Sequence, residues 1–143
     1  ILHKDKIIDA RWNPMDACFS CFKQYFAKGQ HFTYDLDDIA RYYKDYIRLM
    51  DYWKKLFPAE IFTINYEDAI KNPNERIADL LEFCNVKFEE NCLNFHKSKR
   101  PVRTASSEQV RQPMYKTGLD YWMNYADHLE TLTKHFPECE KKI

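Results

Sequence analysis

Apolar and polar positions along this chain follow two different periods, and each change of period marks an element. Lys6 to Ala10 holds a short, mostly apolar run and reads as a buried strand. Beyond it, Met15, Cys18, Phe19, Phe22 and Phe26 recur at steps of three and four, which predicts a helix ended by Gly29. The start of that helix is well signalled. Asn13 can accept from a first-turn amide, Pro14 suits the first position, and Asp16 meets the positive helix end. His31 to Tyr34 reads as a connection. Asp35 then opens a long helix to about Leu56, with Leu36, Ile39, Tyr43, Tyr46, Met50, Trp53 and Phe57 on one face and Pro58 as its stop.

Ile61 to Asn65 is a second strand, giving β-α-α-β and, by the usual closure, a parallel sheet with a right-handed crossover. Asn72-Pro73-Asn74-Glu75 is another capping signature, followed by Ile77, Leu80, Leu81 and Cys84 on one face, with Asn85 suited to a left-handed exit. Phe88 to Phe95 reads as a short helix, Lys97 to Arg103 as a basic loop and Ser106 to Arg111 as one helical turn. Leu119, Trp122, Tyr125, Leu129, Leu132 and Phe136 mark a last amphipathic helix. The pattern is α/β, predominantly helical with about two parallel strands, and residues 1–143 form a single domain or domain fragment. Two parallel strands alone make a poor core, so further strands are expected upstream. The absence of an initiating methionine points the same way, and an unfinished sheet offers apolar surface for pairing with another copy.

Composition narrows the classes. With 45% apolar and 16% aromatic residues the chain can offset its ordering entropy, which argues against disorder. Lys and Arg total 22, as do Asp and Glu, so the balance does not suit a dedicated nucleic-acid binder. Charge is nonetheless uneven. Between His96 and Lys116 six cations face Glu108 alone, leaving +5 there and −5 elsewhere, as an anion-facing or solvated segment requires. An odd set of five cysteines favours reduced thiols in a cytoplasmic protein, and the Cys18–Cys21 spacing inside a helix reads as core thiols rather than a metal or redox site. No apolar run approaches the ~20 residues of a membrane span. Gly29 and Gly118 are the only glycines, so no Walker-type phosphate loop lies within these residues.

The chemistry concentrates where Arg11 follows the first strand and a capped helix begins at once. That order sets cationic and helix-terminal donors at the carboxyl end of a strand, where α/β proteins bind phosphorylated ligands. Two later stretches join it: Asn65-Tyr66-Glu67-Asp68 after the second strand, and Thr104 to Pro113 after the basic loop. In this order they resemble the second half of a sulfotransferase domain of the kind that uses 3′-phosphoadenosine 5′-phosphosulfate, the bacterial and tyrosylprotein type most closely. The family's arginine–x–proline–x–aspartate–x–x–x–serine stretch is similar to Trp12 to Ser20, and its tyrosine–glutamate–aspartate to Tyr66-Glu67-Asp68. Its threonine–alanine–serine and glutamine–valine–arginine stretch is similar to Thr104 to Pro113, and its tryptophan before the final helix to Trp122.

The resemblance implies the C-terminal part of a P-loop-like parallel-sheet fold and a nucleotide donor, 3′-phosphoadenosine 5′-phosphosulfate, serving a hydroxyl or amine acceptor. It implies that Ser20 holds the 3′-phosphate together with an arginine, that Tyr66 reaches the adenine, and that Thr104, Ser106 and Arg111 line the nucleotide. The family's phosphosulfate loop and general base precede this region, so no catalytic residue and no metal ligand is assigned here. Two positions depart from the pattern: Trp12 stands where the family has its phosphate arginine, with Arg11 one place earlier, and Tyr121 replaces a basic residue before Trp122.

Plainer readings stand beside these. Arg11 also reads as a strand-end surface arginine, Ser20 as a solvent-facing helical serine and Tyr66 as packing. His31, His96, His128 and His135 lack partners at ligand spacing and read as structural or surface residues. At the level of function, the alternatives are a non-catalytic helical binding or scaffolding module that has lost the donor, and a phosphate-ester binder of kinase-like chemistry.

Overall fold

Two five-residue strands set the frame. In the computed structural model, which describes residues 5–26, 28–98, 101, 108–113 and 118–140, β1 (Ile7–Arg11) pairs in parallel with β2 (Ile61–Asn65). Ile7 stands opposite Ile61 and Arg11 opposite Asn65. Parallel strands cannot be joined by a tight turn, so the chain crosses over through α1 (Pro14–Lys23), a 3₁₀ turn at His31–Tyr34 and α2 (Leu36–Leu56). After β2 come α3 (Tyr66–Lys71) and α4 (Pro73–Phe83). Short 3₁₀ segments at Glu90–Cys92, Phe95–Lys97, Gln109–Arg111 and Tyr121–His128 lead to α5 (Glu130–His135) and α6 (Pro137–Glu140). This is the helical α/β pattern with a two-stranded parallel sheet that the sequence predicts.

Local chemistry explains the helix starts. The Asn13 side chain accepts from the Met15 amide at 2.9 Å with Pro14 at the first position, and Asp35 accepts from the amides of Asp37 and Asp38 at 2.8 and 3.0 Å. Asn85 leaves α4 with φ of 56°, the left-handed exit expected of it. Asn72, by contrast, makes no side-chain cap bond at the start of α4.

Several expectations are corrected. β1 extends through Arg11 instead of ending at Ala10, and it is not a buried strand: Ile7 and Ile8 are exposed and Asp9 is its one buried residue. α1 stops at Lys23, where Gln24 turns extended and its amide donates to the Cys21 carbonyl at 3.1 Å. Residues 66–71 form a helix of their own, and the short helix expected at 88–95 is instead a pair of 3₁₀ turns. Of the turn expected at Ser106–Arg111, only Gln109–Arg111 lies within the described residues as a 3₁₀ turn. The final amphipathic helix is broken: Asp120 has φ of 54° and Tyr125 departs from helical geometry, so α5 begins only at Glu130.

The core lies between helices. Met15, Cys18 and Phe19 of α1, Ile39 and Ala40 of α2, and Trp122, Leu129, Leu132, Phe136 and Cys139 form one buried cluster. Cys18 is thus a core thiol, its pKa pushed up to about 12 by burial, whereas Cys21 is exposed and does not fit the core reading. Among the described residues no helix is long and apolar enough to cross a membrane.

Candidate functional site

Side chains alternate across a strand, so Ile7, Asp9 and Arg11 of β1 share one face, beneath α2. Asp9 is a carboxylate inside an apolar strand and must be paired. It accepts from Arg11 Nε at 2.7 Å, from the Tyr46 hydroxyl of α2, and from Thr63 of β2 at 3.4 Å. Lys54 donates to the same threonine hydroxyl at 2.9 Å. Arg11 reaches on through Nη2 to Asp51 at 2.9 Å. Burial works against the Arg11 charge, but the hydrogen bonds to Asp51 and Asp9 outweigh it and hold the pKa above its ordinary value. Burial, and then the bond to Asp9, push the Tyr46 phenol up to about 12. The guanidinium is therefore permanently charged and fixed in direction.

The turn from β1 into α1 is tied to the end of β2. The Asn13 amide donates to Glu67 Oε1 at 2.7 Å, and the Tyr43 hydroxyl donates to the Trp12 carbonyl at 2.7 Å. Asp16, at the third position of α1 and buried, accepts from the amides of Asp120 at 2.8 Å and Trp122 at 3.0 Å. Burial raises its pKa, and these two backbone bonds oppose the rise. Glu67 and Asp16 thus meet the positive end of α1 from within the protein.

A cavity of about 810 Å³ opens at the carboxyl ends of the two strands. Its size suits a nucleotide-sized ligand, for which roughly 300–1,000 Å³ is usual. Arg11, Trp12, Asn13 and Pro14 form one wall, and Tyr43, Lys44 and Ile47 of α2 another. Asn65, Glu67, Asp68 and Lys71 come from the end of β2 and α3. Leu119, Asp120, His135, Phe136, Glu138 and Cys139 close it from the C-terminal segment. Arg11, Lys44 and Lys71 are its cations, against the carboxylates Glu67, Asp68, Asp120 and Glu138. The Trp12 indole packs edge-on to Tyr66, with centroids 5.3 Å apart, and its Nε1 is buried with no acceptor among the described residues. A buried donor of this kind beside a ligand-sized space is what a bound acceptor group would satisfy.

Of the residues singled out from the sequence, Arg11 lines the cavity. Tyr66 stands beside it as the first residue of α3, against Trp12, and is not in the lining. Ser20 lies farther along α1, half-buried and outside the lining. Arg111 is exposed and donates from Nη1 to the Ser98 carbonyl, which ties the 3₁₀ turn at Gln109–Arg111 to the one at Phe95–Lys97. Thr104 and Ser106 lie outside the described residues, as do Arg103 and Lys116. The structure adds Lys44 and Lys71, which the sequence does not single out, His135, read from the sequence as structural or surface, and the carboxylates Asp9 and Asp51 on Arg11. Asp9 had a signal: a lone carboxylate in an apolar strand, two places before an arginine on the same face.

The model of the sulfotransferase family matches residues 2–90. That match ends before the Thr104 to Pro113 stretch and Trp122. An uncharacterized protein of Aquifex aeolicus (strain VF5) is 35% identical over 142 residues, covering 96% of this chain. The chain spans only 18% of that relative's length. No solved structure matches.

Proposed function

This chain belongs to the sulfotransferase family, and we propose that it forms the 3′-phosphate and adenine side of the donor site in a P-loop-like, parallel-sheet enzyme of the cytoplasm. The donor, 3′-phosphoadenosine 5′-phosphosulfate, supplies an activated sulfuryl group destined for a hydroxyl or amine acceptor. What this chain does is bind and orient. Arg11, fixed by Asp9, offers charge-assisted bonds to a phosphate, and Lys44 and Lys71 add positive potential across the cavity. Trp12, paired with Tyr66, offers an aromatic wall and an indole N–H. Ser20, Thr104, Ser106 and Arg111 belong to this proposal through the family motif alone.

The observation that carries the reading is the position of Arg11. It stands at the carboxyl end of a parallel strand on the rim of a nucleotide-sized cavity, where open α/β sheets bind ligands. Calorimetric titration of the chain with 3′-phosphoadenosine 5′-phosphate is the test, with adenosine 5′-monophosphate and ATP as comparisons. Micromolar binding that prefers the 3′-phosphate and weakens at least about tenfold in Arg11→Gln, the loss of one charge-assisted bond, supports it. Equal binding of ATP points to kinase-like chemistry instead.

One observation favours the second reading, a helical module that has lost the donor. Carboxylates outnumber the lysine and arginine cations around the cavity, and one of them, Glu67, accepts from the Asn13 amide at the start of α1, where a phosphate would approach. On that reading the nucleotide gives no heat at millimolar concentration.

A further inference from the structure

Two carboxylates hold Arg11, and their surroundings differ sharply. The Asp9 side chain is 1% exposed and is also bonded to Tyr46 and Thr63, so moving it would strand a buried charge. The Asp51 side chain is 52% exposed on the second half of α2, and among the described residues its partner is Arg11 Nη2. An exposed carboxylate leaves an ion pair at little cost, because water replaces the lost bond. Arg11 lines the cavity and Asp51 does not.

We infer that Asp51 is an exchangeable counter-ion: it occupies the Arg11 fork until an anionic group in the cavity displaces it, while Asp9 stays and orients the guanidinium. The ligand's identity rests on the nucleotide reading above; the exchange itself needs only an anion. Two anions on one guanidinium repel, so a phosphate arriving at Arg11 meets a competitor supplied by the chain. The exchange pivots on the Nε bond to Asp9, the end of the fork that is buried. Asp51 thereby sets how tightly the site holds an anion, and Asp9 is a positioning residue for Arg11.

The test is a double-mutant cycle on the full chain, titrated by calorimetry with 3′-phosphoadenosine 5′-phosphate and, separately, with inorganic phosphate. Asp51→Asn is expected to tighten anion binding about three- to tenfold at low ionic strength, with a smaller gain at high salt. Asp51→Glu, which keeps the competitor, is expected to behave as the parent. Asp9→Asn is expected to weaken binding, and a circular-dichroism spectrum checks that it folds. In an Arg11→Gln background the Asp51→Asn gain must vanish. A gain that persists there is general charge removal and overturns the exchange, as does an unchanged or weaker affinity in Asp51→Asn alone. If nucleotide binds no variant while phosphate binds Asp51→Asn more tightly, the nucleotide reading fails and the exchange stands. If neither anion gains, the exchange is wrong whatever the nucleotide does.

Discussion

The first half of α2 packs its apolar side into the helical cluster, and the second half of the same helix meets the sheet through the polar side chains of Asp51 and Lys54. Ile39 and Ala40 are buried and Tyr43 packs edge-on to Phe136, whereas Trp53 and Phe57, farther along the same stripe, are exposed. One periodicity runs through both halves. The stripe of apolar residues therefore records what a helix can bury, and the tertiary neighbours decide how much of it is buried. Two of the three tryptophans show the difference: Trp122 is 0% exposed at the centre of the cluster, while Trp53 is 40% exposed, edge-on to Tyr52 and stacked on Phe57.

Truncating those two tryptophans gives the largest expected contrast. Trp122→Ala should cost about 3–5 kcal/mol, as large core truncations do, and Trp53→Ala less than about 1 kcal/mol. Urea denaturation of both variants measures it, and equal losses would break the comparison.

Next in size is the clamp that joins the start of α1 to the C-terminal segment. Asp16→Ala leaves the amide of Asp120 and the buried amide of Trp122 without their acceptor, at about 1–3 kcal/mol. The pH dependence has a definite sign. Burial raises the Asp16 pKa, so the folded state holds that proton more tightly than the unfolded chain does. Its contribution to stability falls as pH rises from the ordinary carboxylate range through the raised value. Asp16→Asn should flatten that slope in a series of melts.

A smaller effect separates two thiols in one helix. Cys18, buried and with its pKa pushed up to about 12, should resist iodoacetamide in the native chain, while exposed Cys21 is alkylated. Peptide mass mapping after a timed reaction reads both, and modification of Cys18 at the Cys21 rate would contradict the packing.

The smallest expected effect is at the start of α2, where Asp37 pairs with His135 at 2.6 Å and with Arg41. The bond to His135 lowers the Asp37 pKa. A depressed carboxylate contributes stability above its unfolded pKa of ~3.9 and loses it as pH falls through the lower folded value. Melting curves of the parent and Asp37→Asn should differ near neutrality and converge in acid.

Much of the frame was legible because it is written in local chemistry. β2 falls at Ile61–Asn65 as its run of apolar and β-forming residues indicates, and Asn13-Pro14, Asp35 and Asn85 act where short-range capping rules put them. What escaped the sequence is set at long range. The last helix is broken at Asp120, which Asp16 grips across 104 positions, and no window of neighbouring residues reports that. The candidate site divides the same way. Arg11 was readable as a strand-end cation, but its extension within β1 and its two carboxylates depend on pairing with β2 and packing under α2. Lys44 and Lys71 look like ordinary helical surface lysines until the fold sets them on one cavity.

The most direct test of the strand-end site is an amide chemical-shift titration of isotope-labelled chain with 3′-phosphoadenosine 5′-phosphate. Saturable shifts are expected to centre on Arg11 to Asp16 and Asn65 to Asp68, around the Arg11 rim of the cavity. Saturable shifts confined to other surfaces, with those two stretches unmoved, would contradict that site.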